Sequence, residues 1–124
     1  MLIQDSINCR YYFRQTSAQS YTIEDTAERK KLVLAPVFSI SGDNLSVIKN
    51  LTDFSTLTIQ HLEDLLPCDV ILVGSGDCTR FPGPDLYREI ACHNLAVDFM
   101  SSDAACRTYN ILANEGRTTA IIVF

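Results

Sequence analysis

The stretch from Asp98 to Phe124, DFMSSDAACRTYNILANEGRTTAIIVF, constrains the fold more than any other part of the chain. It reads as the end of a strand, a small-residue turn, a helix and a last strand. Ser102 or Asp103 is suited to cap the free N–H groups of the helix start. Ala105, Tyr109, Leu112 and Ala113 follow at helical spacing and form one apolar stripe. Gly116 is placed to end the helix, because glycine takes the left-handed conformation there without a side-chain clash. Ala120 to Phe124 is a continuous apolar run, as in a strand buried on both faces. The other helix face carries Arg107, Asn110 and Asn114. That face reads as solvated or, beside a helix N-terminus, as one that holds an anion.

Upstream, the pattern alternates between strands and helices. Asn8 to Arg14 and Ser20 to Ile23 are aromatic and β-branched, as in two paired strands joined by Gln15 to Gln19. Lys31 to Ala35 is an apolar strand stopped by Pro36. Ser41-Gly42-Asp43-Asn44 has turn composition, and Leu45 to Leu51 reads as a further strand. Thr58 is suited to cap a helix in which Leu62, Leu65 and Leu66 face inward, with Leu57 folding back on Leu62 and Pro67 ending the run. Asp69 to Gly74 is a short buried strand. Gly83-Pro84 opens another helix with proline at the favoured first position. Its inward face is Leu86 and Ile90 with Tyr87 or Ala91, and Asn94 closes it. Leu95 to Met100 is the next strand. The order is that of an α/β protein, and the crossover between strands 70–74 and 96–100 is expected to be parallel and right-handed.

The remaining bounds exclude several classes. The chain has 124 residues, enough for one domain with a real core. Net charge is −5, which argues against a nucleic-acid partner. The basic cluster Arg29-Lys30-Lys31 follows Glu24, Asp25 and Glu28 and reads as a mixed-charge turn. No apolar run approaches the ~18 residues of a membrane span. Met1 to Asp5 lacks the features of a signal peptide, so a cytoplasmic location is expected, or a mitochondrial one after removal of a transit segment. Five cysteines at scattered positions fit neither a disulfide framework nor a zinc ribbon, and point to a reducing compartment. No carboxylate–histidine or His-x-x-x-His pairing is legible, so no metal and no cofactor is expected.

Parallel strands 70–74 and 96–100 would open their C-terminal ends on one edge, where α/β sheets bind ligands. A candidate pocket there comprises Gly74, Ser75, Gly76, Asp77, Ser101, Ser102, Asp103, Cys106, Arg107, Tyr109 and Asn110. The rim would be Asp77 to Arg80. Arg107 and the helix N-terminus make an anionic or carbonyl group the natural ligand. The GSG turn lacks the rest of a P-loop or dinucleotide fingerprint and reads foremost as a tight turn. Cys106 is the one candidate nucleophile, at a helix N-terminus beside Arg107, although a small packed residue is the simpler reading. His61 is placed nearer to it than His93. Glu115 and Arg117 read as an ion pair.

The block AACRTYN-x-L-x-x-EGR (Ala104 to Arg117), with Val33-Leu34-Ala35-Pro36 and VILVGSG (Val70 to Gly76), resembles a small family of unknown biochemical function. That family includes mitochondrial assembly factors for respiratory complex I. Family members usually carry Met-Asp-Thr where this chain has Met100-Ser101-Ser102, and a tryptophan after the Pro36-type strand that is absent here. The resemblance covers the chain from Ile7 on. It implies a single domain with a mixed central sheet flanked by helices, a β-hairpin packed against it, and a protein partner in respiratory complex assembly. Two readings follow. One is a non-catalytic protein-binding or assembly-factor-like domain, which is preferred. The other is a binder of a small anionic molecule, or an enzyme, that uses the crevice near Arg107.

Overall fold

A computed structural model describes residues 9–16 and 20–124. The expected start of the first strand at Asn8, the Ser17 to Gln19 part of its connection and the extreme N-terminus lie outside the described residues. The element order is β1 (Tyr11–Thr16), β2 (Tyr21–Asp25), β3 (Lys30–Leu34), β4 (Phe38–Ser41), β5 (Asn44–Val47), a short 3₁₀ turn (Phe54–Thr56), α1 (Ile59–Glu63), β6 (Val70–Gly74), α2 (Pro84–Cys92), β7 (Val97–Met100), α3 (Ser102–Asn114) and β8 (Thr119–Val123).

The central sheet has the order β5-β4-β8-β6-β7. β6 runs parallel to β7 and β8, whereas β4 is antiparallel to both β5 and β8. The sheet is therefore mixed, and the last strand lies between β4 and β6. The N-terminal hairpin β1–β2 is extended by β3 into a separate three-stranded antiparallel sheet. Lys31 to Ala35 thus belongs to the small sheet. Phe38 to Ser41 is a strand within a region whose only clear sequence signal is the turn at residues 41–44, and β5 ends at Val47.

Strand alternation divides the core in two. Ile121, Val123 and Leu72 face one side, where they meet Phe38, Ile40, α3 and the inner face of the small sheet: Tyr11, Phe13, Tyr21 and Ile23. Ala120, Ile122, Ile71 and Val73 face the other, against Leu62 of α1 and Leu65 just after it, Leu86 and Ile90 of α2, and Phe54. Removing each of these large apolar side chains from water contributes about 1.5–3 kcal/mol, which makes the two-sided β8 the centre of the fold.

The helix ends follow local chemistry. Thr58 precedes α1, and its backbone N–H donates to His61 Nδ1 at 3.0 Å, so histidine fills the place usually taken by a glutamate. Leu57 and Leu62 are both buried in the same cluster. Asn94 adopts φ 56° after α2. α3 ends in a Schellman motif: Arg117 N donates to Leu112 O and Gly116 N to Ala113 O, with Gly116 at φ 88°. The expected Glu115–Arg117 ion pair is not formed, and both side chains stay exposed on either side of the Gly116 turn.

Candidate functional site

β6 and β7 end side by side, and α3 begins where β7 stops. Ser101, not Ser102 or Asp103, caps α3: its hydroxyl accepts from Ala104 N at 3.3 Å. The cap falls one residue early because Ser102 is used elsewhere. Ser102 N donates to Gly76 O at 2.9 Å, while Ser102 Oγ accepts from Gly76 N at 2.8 Å and donates to Phe124 O at 2.9 Å. One buried serine thus ties the β6 turn, the α3 start and the end of β8 together.

The GSG turn is built around this contact. A Cβ on Gly74 would lie 2.8 Å from Ser102 Cα and 3.2 Å from Ala105 Cβ, so only glycine lets α3 approach β6 this closely. Gly76 sits at φ 94°, a conformation that side chains rarely adopt. Between them Ser75 is buried. Its hydroxyl is shared between Cys78 O at 2.8 Å and Met100 O at 3.0 Å, and accepts from Arg80 N at 2.9 Å. The turn is therefore occupied by its own hydrogen bonds.

Six of the anticipated residues, Gly74, Ser75, Gly76, Ser101, Ser102 and Cys106, are brought to this edge together. Asp77 and Asp103 stand at its exposed margin. Tyr21 of the small sheet joins them, 2% exposed. Burial pushes the Tyr21 hydroxyl pKa up, Ser102 opposes this, and Cys106, Asp77 and Asp103 add to the rise. Nothing in the sequence singles out Tyr21 beyond an aromatic residue in an alternating strand.

Three residues leave the edge. Arg107 is exposed and pairs with Asp103, whose other oxygen receives the Thr16 hydroxyl. These two partners hold the Asp103 carboxyl below its ordinary pKa. Tyr109 is buried edge-on against Phe13, with ring centroids 5.6 Å apart, and its titratable neighbours are Cys9, Tyr11 and Asp43. Asn110 does not join a solvated face with Arg107. Its amide brackets the Phe13 backbone, accepting from Phe13 N and donating to Phe13 O, both at 2.8 Å.

Cys106 is 1% exposed. Burial drives its pKa well up and Asp103 adds to this, while Arg107 opposes only weakly, so the thiol is neutral. The expected help from the helix terminus loses to desolvation. His61 does not approach it: α1 packs on the opposite face of the central sheet from α3. His93, at the end of α2, pairs instead with Glu63 of α1 at 2.8 Å. This carboxylate–histidine pair was not legible in the sequence, because its members lie on different helices. Among the described residues no group of histidine, cysteine and carboxylate side chains is arranged to hold a metal ion. Among the described residues no helix is long and apolar enough to cross a membrane.

Beyond the turn the surface becomes aromatic. Arg80 lies 5.0 Å over the Phe54 ring, and Phe54 meets Phe99 and Phe124 edge-on. Tyr87 packs on Phe99 with ring centroids 5.8 Å apart. A groove of about 300 Å³ runs between Phe54, Arg80, Phe81, Pro82 and Leu86. Phe81 is 64% exposed and Tyr87 43%.

Comparison with known proteins adds to this geometry. The chain is 37% identical over 73 residues to a 13 kDa major membrane protein of Francisella tularensis, covering 57% of this chain and 59% of that one. It is 25% identical over 118 residues to the NADH dehydrogenase [ubiquinone] 1 alpha subcomplex assembly factor 3 of Bos taurus, covering 95% of this chain and 62% of that one. The chain thus spans about three fifths of the length of these relatives. A crystal structure of a Bordetella parapertussis protein superposes with a TM-score of 0.77 at 20% identity, covering 94% of this chain and 97% of the other, and shares the fold. Residues 13–124 match the family described as protein of unknown function (DUF498/DUF598), and the chain belongs to that family.

Proposed function

We propose that this chain is a non-catalytic protein-binding domain that engages a subunit of a respiratory NADH dehydrogenase during its assembly. The observation that carries the reading is the exposed aromatic surface formed by Phe81 and Tyr87 around the Phe54–Arg80 groove. Aromatic residues and arginine dominate the energetic centres of protein interfaces, and a partner would cover Phe81 at a favourable 25 cal/mol or so per Å² of apolar area. The kinship with the assembly factor supports this partner class. The edge beside α3 supports the same reading from the other side. Its hydroxyls are spent on backbone, its thiol is neutral and buried, and Arg107 is taken by Asp103. An anionic ligand would have to displace that carboxylate.

The test is affinity isolation from native extract with wild type and Phe81→Ser. Phe81 is mostly exposed, so this change leaves folding nearly untouched, within about 0.5 kcal/mol. Recovery of an NADH dehydrogenase subunit by the wild type and its loss with the variant is the expected result. Equal recovery by both, or by neither, counts against the proposal.

A further inference from the structure

A second concavity lies towards the start of β6 and β8, at the other end of the sheet. It has a volume of about 580 Å³ and lies between the β4–β5 hairpin and α1. In β4, Phe38 and Ile40 enter the core while Ser39 and Ser41 point to the opposite face. The register pairs Ser39 with Ser46 and Ser41 with Asn44, so the β5 partners share that face. Beside them β8 presents Ala120 and Ile122 to an apolar core. The same sheet face therefore changes from apolar to hydroxyl-bearing at β4, and there the groove opens.

Ser41 is used internally, donating to Leu65 O at 2.6 Å. Ser39 is not. It is 6% exposed and lines the groove, yet its hydroxyl has no partner among the described residues. Every fully buried side-chain polar atom has a partner, so this hydroxyl faces the groove. Open to the groove, it is left to bond with water or with the hydroxyl of a ligand. Asp43 and Asp64 also line the groove, and no lysine or arginine does. Asp64 keeps one oxygen on Gln60, and the Asp43 carboxylate makes no hydrogen bond or close ion pair among the described residues, although it interacts at longer range with Arg10.

We infer that this groove binds a small hydroxyl-bearing cation, of the amino sugar or amino alcohol class. The serine and asparagine groups match ligand hydroxyls, and the two carboxylates match an ammonium. The volume falls within the range of small-molecule sites, roughly 300–1,000 Å³. The carboxylates disfavour an anion.

The experiment is an amide NMR titration of the full chain with glucosamine, glucose and glucose 6-phosphate, which match in shape and differ in charge. Saturable shifts at residues 39–46 and 60–66 are expected, tightest for glucosamine and weakest for the phosphate. Asp43→Asn is expected to weaken glucosamine about tenfold and leave glucose unchanged. Ser39→Ala is expected to weaken both sugars by roughly threefold to tenfold. Both variants are first compared with the wild type by their unliganded spectra. Absence of saturable shifts with glucosamine, shifts elsewhere, or a phosphate that binds as well as glucosamine would overturn the inference.

Discussion

The Asn110 side chain forms both hydrogen bonds of a strand partner with the Phe13 backbone, at 2.8 Å each, across 97 residues of sequence. It stands in for a neighbouring strand next to the irregularity in β1, where the pairing register shifts between Phe13 and Gln15. The small sheet is thereby fixed to α3 by polar contacts as well as by Phe13 packing on Tyr109. Asn110→Ala leaves the Phe13 N–H and C=O without partners. The loss is expected to be about 2–4 kcal/mol, read as a lower urea midpoint.

Gly74 and Gly76 are needed for different reasons, and substitution separates them. Gly74→Ala drives a Cβ into the Ser102 backbone and is expected to cost about 1–3 kcal/mol by overpacking. Gly76→Ala meets no atom within 4 Å and is strained only by its positive φ, costing about 1 kcal/mol. Gly83→Ala meets neither obstacle and should change the melting midpoint little.

Acid should loosen the small sheet first. Asp25 is almost fully buried and accepts two bonds from Arg10, at 2.7 and 3.1 Å, besides the Ala27 and Glu28 amides. The Arg10 contact lowers its pKa from 3.8 to about 2. Because the folded value lies below the unfolded one, this contribution is fully present above about pH 4 and is lost as pH falls towards 2. Asp25→Asn should flatten the stability profile across that window. A profile that keeps the wild-type slope there would contradict the assignment.

Thiol chemistry should sort the cysteines by burial. Cys78 and Cys92 are exposed, while Cys106 is buried with its pKa pushed up. A water-soluble disulfide reagent near pH 8 is expected to modify Cys78 and Cys92 in the folded protein and Cys106 only after unfolding. Rapid reaction at Cys106 would restore it as a candidate nucleophile.

What could be read in the sequence was local. The apolar runs of β6 and β8, the inward Leu62 and Leu65, the inward Leu86 and Ile90 of α2, and the glycine that ends α3 all carry their reason within a few residues, whereas Leu66, Tyr87 and Ala91, expected to face inward, are exposed. β4 was hidden because Ser39 and Ser41 give it one polar face, and the sequence provides no sign of the groove they line. The cap moved to Ser101 because Ser102 bonds to Gly76 and Phe124, residues supplied by two other strands. The scatter of Arg107, Tyr109 and Asn110 away from the edge followed from partners on β1 and within α3. No spacing rule shows such partners in advance.

The most direct measurement asks which surface the cell needs. In cells lacking the gene, wild type, Phe81→Ser and Cys106→Ala would be expressed at equal levels. Assembled NADH dehydrogenase would then be quantified on native gels. The account predicts that wild type and Cys106→Ala restore the assembled enzyme while Phe81→Ser does not. Restoration by Phe81→Ser together with failure of a stably folded Cys106→Ala would contradict it, and would place the function at the thiol instead of the aromatic surface.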